Sequence, residues 1–302
     1  MSNGNSGTRR NFLKTAAVGS ATVPLVGTAI ASEGETERKR DVSGYSLSAS
    51  GSGDTTGDTI SKEERERIRT LMTEIGDGDS TQTLQRSRKT SDEASSMESE
   101  TVDILQEDPT DAPGNQVWSE STSVSDTTVT GASLVDADYY MTCYKPAIYD
   151  EDGNRYLMWY AWGGLRPQDR AAWTGNLENA RVEIELTSDN GDMVRYKPGG
   201  DRDRHGYEMD MSMEVSGEPG GVGGSATLSG SFTIGGGTVR PHRSKMDMGA
   251  DTFCPAFEGQ TEATCELLGM CVGKMDPSGG TVTWDWEVSV DGDRYNKCPV
   301  VC

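Results

Sequence analysis

The chain has 302 residues, with 49 Asp and Glu against 28 Lys and Arg, and a formal net charge of −21. Because phosphate binding requires a basic surface, this charge argues against nucleic acid as a partner. An acidic surface that is poor in Lys stays hydrated when salt screens ordinary charge effects. The composition therefore favours a salt-adapted protein, with an ordinary acidic secreted protein as the alternative.

Residues 8–14 carry a short motif in which two arginines precede two apolar residues and a lysine: Arg9, Arg10, Phe12, Leu13 and Lys14. This motif resembles the twin-arginine (Tat) export signal, and a mildly apolar run at 15–30 follows it. Together with the acidic composition, it is similar to exported proteins of haloarchaea. The resemblance implies the Tat translocation machinery as a partner.

The predicted signal ends at residue 31, because Ala29 and Ala31 are the small residues expected before a cut at Ser32. The apolar run contains glycine and proline and is shorter than the roughly 20 residues that span a bilayer. A membrane anchor is therefore the weaker alternative. We expect the mature chain to be secreted and extracellular, with no membrane contact after signal removal.

Residues 32–115 are rich in small and charged residues and poor in apolar ones, so we expect a low-complexity, mostly disordered acidic segment. One stretch, 61–75, predicts a short helix. Ser61 is its N-cap, Glu64 completes a capping box, and an apolar stripe follows at Ile68, Leu71, Met72 and Ile75. We favour a helix that docks on its own domain over one that binds a partner.

Residues 116–302 predict an all-β domain. "RVEIELT", "SATLSGSFTI" and "TVTWDWEVSV" alternate apolar and polar residues, as in antiparallel strands with one solvated face. "RYLMWYAW" is apolar on both faces and predicts a central strand. Turn sequences at 150–154, 189–192 and 291–293 predict three hairpins. An antiparallel β-sandwich or jelly-roll-like domain is the favoured fold, with a closed barrel as the alternative.

Six cysteines lie from position 143 onwards, five of them in the C-terminal half: Cys143, Cys254, Cys265, Cys271, Cys298 and Cys302. An even number in an exported chain predicts disulfides, although six cysteines allow 15 pairings. Metal binding is disfavoured because the spacings do not match paired C-x2-C motifs and only two histidines are present. We predict no metal and no cofactor.

The stretch "YEMDMSMEV" at 207–215 places Glu208, Asp210 and Glu214 on one side of a strand. This row resembles the carboxylates of jelly-roll glucanases, but Glu208 and Glu214 would lie about 20 Å apart, beyond the roughly 5 to 9.5 Å of glycosidase acid pairs. We interpret the row as a solvated face.

No calcium loop and no nucleophile motif is complete, and neither His205 nor His242 is assigned a role. We predict no catalytic residue.

Aromatic residues cluster along two neighbouring predicted strands: Tyr139, Tyr140, Tyr144, Tyr149, Tyr156, Trp159, Tyr160 and Trp162. They suit either a β core, which we favour, or a sugar-binding platform. Trp173, in a charged loop, is the weak candidate for an exposed binding aromatic.

The sequence thus favours a secreted binding or surface-associated β module whose ligand is an extracellular glycan or protein. The layout of Tat signal, acidic segment and cysteine-containing C-terminal region also resembles haloarchaeal antimicrobial (halocin) precursors, which is the first alternative. An extracellular glycoside hydrolase is the second alternative, and it requires a carboxylate pair brought together across strands.

Overall fold

The computed structural model describes residues 42–75, 83–89, 97–103, 116–127, 133–170, 173–201, 208–217 and 224–296. The predicted export signal and its cleavage position lie outside these residues. Strands make up most of the described part, which confirms the predicted all-β class. No helix in this part is long and apolar enough to cross a membrane.

The strands form three antiparallel sheets, which we call the front, central and back sheets. The front sheet has the order β1 (Val42–Asp54), β15 (Thr283–Asn296), β7 (Trp173–Leu186), β13 (Pro255–Thr261) and β11 (Thr238–Pro241), with β12 (Thr252–Phe253) also paired to β7. The central sheet has the order β4 (Gln116–Thr127), β5 (Ser133–Tyr144), β6 (Arg155–Pro167), β14 (Cys265–Met275) and β8 (Gly191–Lys197). The back sheet has the order β3 (Met97–Asp103), β2 (Thr83–Lys89), β10 (Gly224–Thr233) and β9 (Glu208–Gly217).

The inner strands of the central sheet, β5, β6 and β14, are buried on both faces. On one face, Trp159 of β6 packs edge-on against Trp284 of the front sheet, with ring centroids 5.5 Å apart. On the other face, Trp162 Nε1 donates to Glu266 Oε1 (2.7 Å), and Glu266 Oε2 accepts the backbone N–H of Thr233 in the back sheet (2.8 Å). Residues 157–165 are buried throughout, which confirms the prediction of a central strand covered on both sides.

The helix α1 (Lys62–Ile75) covers part of the same back-facing surface. It begins after Ser61, whose Oγ accepts the Glu64 N–H at 3.2 Å. Its apolar stripe is buried, and Ile75 approaches Gly164 of β6. Arg67 pairs with the buried Asp138 of β5 at 2.8 Å. The helix therefore docks on its own domain, as its sequence indicates.

The folded body begins before residue 116, where we expected it to start. β1 pairs with β15 over its full 13 residues and is part of the front sheet. Its glycines make room for aromatic rings, since a Cβ at Gly53 would lie 2.6 Å from Trp284 Nε1. A segment poor in apolar residues can form this strand because β4 and β15 contribute the buried tryptophan side chains, Trp118 and Trp284, that pack against it. The prediction of a mostly disordered segment does not hold for residues 42–75, 83–89 and 97–103, which include β1, α1, β2 and β3.

One of the three predicted hairpins is present. Residues 150–154 form the turn between β5 and β6, with Gly153 at φ +84°. Residues 189–192 instead carry the chain from β7 in the front sheet to β8 in the central sheet. Residues 291–293 lie inside β15, because pairing with β1 holds this strand extended. The hairpins predicted at 189–192 and 291–293 were therefore wrong.

Candidate ligand-binding surface

A β-bulge in the front sheet lies within a group of polar side chains on β7 and β15. Asp291 of β15 stands opposite Asn179 of β7, whereas the next residue, Gly292, stands opposite Leu177. Glu178 is thus the extra residue on β7. An extra residue disrupts the ladder locally and redirects its side chain.

The redirected Glu178 meets Asp293 of the neighbouring strand. The two carboxyl groups lie close enough to interact electrostatically. Burial and the negative charge of Glu178 raise the pKa of Asp293. Glu178 Oε1 also accepts a hydrogen bond from Gln260 Nε2, at 2.8 Å. The bulge therefore brings together a carboxyl pair that the linear sequence separates by more than a hundred positions.

Two further polar groups extend this surface. Asn176 stands opposite Asp293 in the register and is only 4% exposed. Its Nδ2 donates to the hydroxyl of the half-buried Tyr295, at 3.3 Å. We define the acid-pair patch as this group of side chains: Asn176, Glu178, Gln260, Asp293 and Tyr295.

An open cleft of about 750 Å³ adjoins the patch, lined by residues 235–238 and 258–263. Gln260 belongs to both the cleft and the patch. Two glycines allow the cleft walls to meet: Gly237 has φ +85°, Gly259 has φ +137°, and a Cβ on Gly259 would lie 2.5 Å from Gly237 Cα. The cleft therefore presents mostly backbone and polar groups.

The side chains of the patch are of the kinds that bind polar ligands. Among the described residues, no group of three or more His, Cys, Asp or Glu side chains is arranged to hold a metal ion. Carboxyl, amide and phenol groups on one surface can donate to and accept from ligand hydroxyls.

Most of the predicted aromatic cluster lies in the core. Six members are at most 1% exposed: Tyr139, Tyr140, Tyr144, Trp159, Tyr160 and Trp162. This confirms the core interpretation for these six. Tyr149 and Tyr156 are half-buried and lie beside cations, Arg155 and Lys274 respectively.

Trp173 is half-buried at the start of β7, where it stands opposite Asn296. It lies three residues before Asn176, so strand alternation places the two side chains on opposite faces. A binding role for Trp173 stays a prediction.

The row on β9 is a solvated face. Asp210, Ser212 and Glu214 are exposed, whereas Met211 and Met213 are buried. Their exposure agrees with the interpretation of this row as a solvated strand face. The side chain of Glu208 lies outside the described residues, as does His205.

His242 is half-buried, and burial together with the positive charge of Arg181 lowers its pKa.

The four cysteines within the described residues are buried free thiols: Cys143, Cys254, Cys265 and Cys271. Cys143 and Cys271 both stand opposite Trp159, on the two sides of β6. Their Cα atoms are thus two strand spacings apart, about 9.5 Å, whereas a disulfide requires about 4.4 to 6.8 Å. The predicted disulfides are not formed among these four cysteines, and Cys298 and Cys302 lie outside the described residues.

Comparison with known proteins does not show a family for the chain. No family model matches it, and no curated protein matches it. A solved structure titled "Pore forming protein" matches with 9% sequence identity and a TM-score of 0.24, covering 60% of this chain and 87% of that chain. A likeness at this level supports no conclusion about function.

Proposed function

We propose that the chain is a secreted, salt-adapted β-sandwich module that binds a neutral extracellular glycan on the acid-pair patch. The observation that carries the proposal is the bulge on β7, which turns Glu178 towards Asp293 and Gln260 beside the open cleft. The export motif at Arg9 and Arg10 supports an extracellular location.

A neutral polyhydroxy ligand fits the chemistry of the patch. Its hydroxyl groups can donate to the carboxyl oxygens of Glu178 and Asp293 and accept from the Gln260 amide. An anionic ligand is disfavoured, because the patch carries acids and the chain has a net charge of −21. Tyr295 offers a half-buried aromatic ring on which a sugar can pack.

The two alternatives from the sequence find less support. A C-terminal peptide released from a precursor would remove β15, which lies between β1 and β7 inside the front sheet. A glycoside hydrolase would need a carboxylate pair placed on either side of the scissile bond, whereas the Glu178 and Asp293 carboxyl groups interact with each other.

The proposal is tested by titrating neutral oligosaccharides into the mature protein by calorimetry at molar salt. We expect Glu178→Gln to weaken binding at least about tenfold, which corresponds to about 1.4 kcal/mol. Glu185→Gln is the matched control, because Glu185 is an exposed acid on the same strand and lies outside the patch. Absence of binding across the oligosaccharide panel, or equal losses in both variants, would overturn the proposal.

A further inference from the structure

Six strands lie at the ends of the three sheets, and five of them carry the devices that keep edge strands from pairing with other chains. β11 is four residues long and contains Arg240 and Pro241. The other four carry charged residues along their length: Asp192 and Arg195 in β8, Glu120 in β4, Glu98 and Glu100 in β3, and Asp210 and Glu214 in β9. Such charges, and the proline, disfavour the approach of another strand.

The sixth edge strand, β1, has none of these devices. Its sequence, VSGYSLSASGSGD, contains no proline and no charged residue before Asp54. Its pairing with β15 runs over 13 residues without a register shift, so no bulge twists the edge away. Within the described chain, no strand pairs with its other side. A long, regular and uncharged edge is a template for strand addition.

We propose that the free edge of β1 pairs antiparallel with β1 of a second copy, so that the two front sheets become one continuous sheet. Most of the surface of a chain with net charge −21 repels a second copy. The β1 edge is the uncharged exception, and an antiparallel pair of identical strands satisfies two-fold symmetry.

The sequence of β1 fits a two-fold axis at Ser48. In that register Ser46 faces Ser50 of the second copy, and the exposed serines form one ladder in which hydroxyl groups can hydrogen-bond. On the core side Leu47 faces Ala49, and Tyr45 faces Gly51, so a large residue always meets a smaller one. No like charges are placed opposite each other between residues 43 and 53.

Sedimentation velocity of the mature protein at molar salt tests this inference, which is independent of the glycan proposal. We expect a concentration-dependent dimer. Ser48→Pro removes a backbone donor from the edge and is expected to shift the protein to monomer. Ser212→Pro, on the already protected edge β9, is the matched control and should leave the dimer unchanged.

Cysteine cross-linking tests the register. Under mild oxidation, Ser48→Cys is expected to give a covalent dimer on a non-reducing gel, because its symmetry mate lies directly opposite. Ser46→Cys alone should not cross-link, whereas Ser46→Cys combined with Ser50→Cys should. A wild-type protein that stays monomeric, or a dimer that Ser48→Cys fails to cross-link, would overturn the inference.

Discussion

Asp293 is held in a position that favours its neutral form. Burial and the nearby Glu178 raise its pKa, so the folded chain binds a proton there more tightly than the unfolded chain does. The stability that this proton contributes is fully present below the ordinary Asp pKa of about 3.9 and is lost as pH rises through the folded pKa.

Replacing Asp293 with Asn should therefore stabilise the protein at pH 7, because the charge that costs stability is removed. The gain should shrink as the pH falls and wild-type Asp293 becomes protonated. Urea unfolding at pH 7 and pH 4 measures both differences. Asp285→Asn, at an exposed position of the same strand, should change stability by less than about 0.5 kcal/mol. A gain that is the same at both pH values would contradict the assignment.

The burial of the four free thiols predicts that they react slowly with alkylating reagents in the native protein. Burial raises the pKa of Cys254 to about 12 and that of Cys143 well above its ordinary range, and the thiolate is the reactive form. Iodoacetamide should therefore leave these cysteines unmodified in the native protein and label them after denaturation without any reductant. Intact mass measures the labelling, and four cysteines that become reactive only after reduction would instead indicate disulfides.

At the scale of single elements, β1 depends on its glycines. A Cβ at Gly53 would lie 2.6 Å from Trp284 and 2.7 Å from Trp118, both buried. Gly53→Ala should therefore destabilise the protein by about 1–3 kcal/mol through overpacking. Gly44→Ala is the control on the same strand, since its nearest neighbour would be 3.7 Å away. Thermal unfolding measures the stability of the two variants. Equal losses of stability would show that the lower strand propensity of glycine, and not overpacking, determines the effect of both substitutions.

Sequence patterns predicted the elements whose local signal is strong. The two-sided apolar run of β6 and the capping box of α1 appear in the structure as expected. The stacking of three sheets was not predictable, because alternation shows which face of a strand is buried but not which sheet covers it. β1 was missed because its burial depends on rings contributed by β4 and β15.

The bulge at the acid-pair patch has one signature in the sequence, which is the spacing of two apolar residues on β7. Leu177 and Ala180 are both buried on β7, although a regular strand would place residues three apart on opposite faces. This spacing marks a bulge. The partner of Glu178 could not be found from the same pattern, because Asp293 comes from a strand whose register is fixed only when the sheet forms.

At the scale of the whole molecule, the net charge of −21 makes the folded state repel itself at low salt. The screening length falls from about 10 Å at 0.1 M to about 3 Å at 1 M salt. We expect the melting temperature, followed by tryptophan fluorescence, to rise over this range of KCl. An uncharged osmolyte at equal osmolality separates charge screening from exclusion effects, and a melting temperature that stays constant in KCl would contradict the expectation.

The position of β15 within the front sheet determines when this sheet can form during synthesis of the chain. This strand is synthesised last among the described elements, yet it lies between β1, made first, and β7. Until the ribosome has released residue 296, both of its neighbours lack a partner along their inner edges. A nascent or truncated chain therefore exposes two unpaired strand edges at once, and it depends on being protected from other chains until synthesis ends.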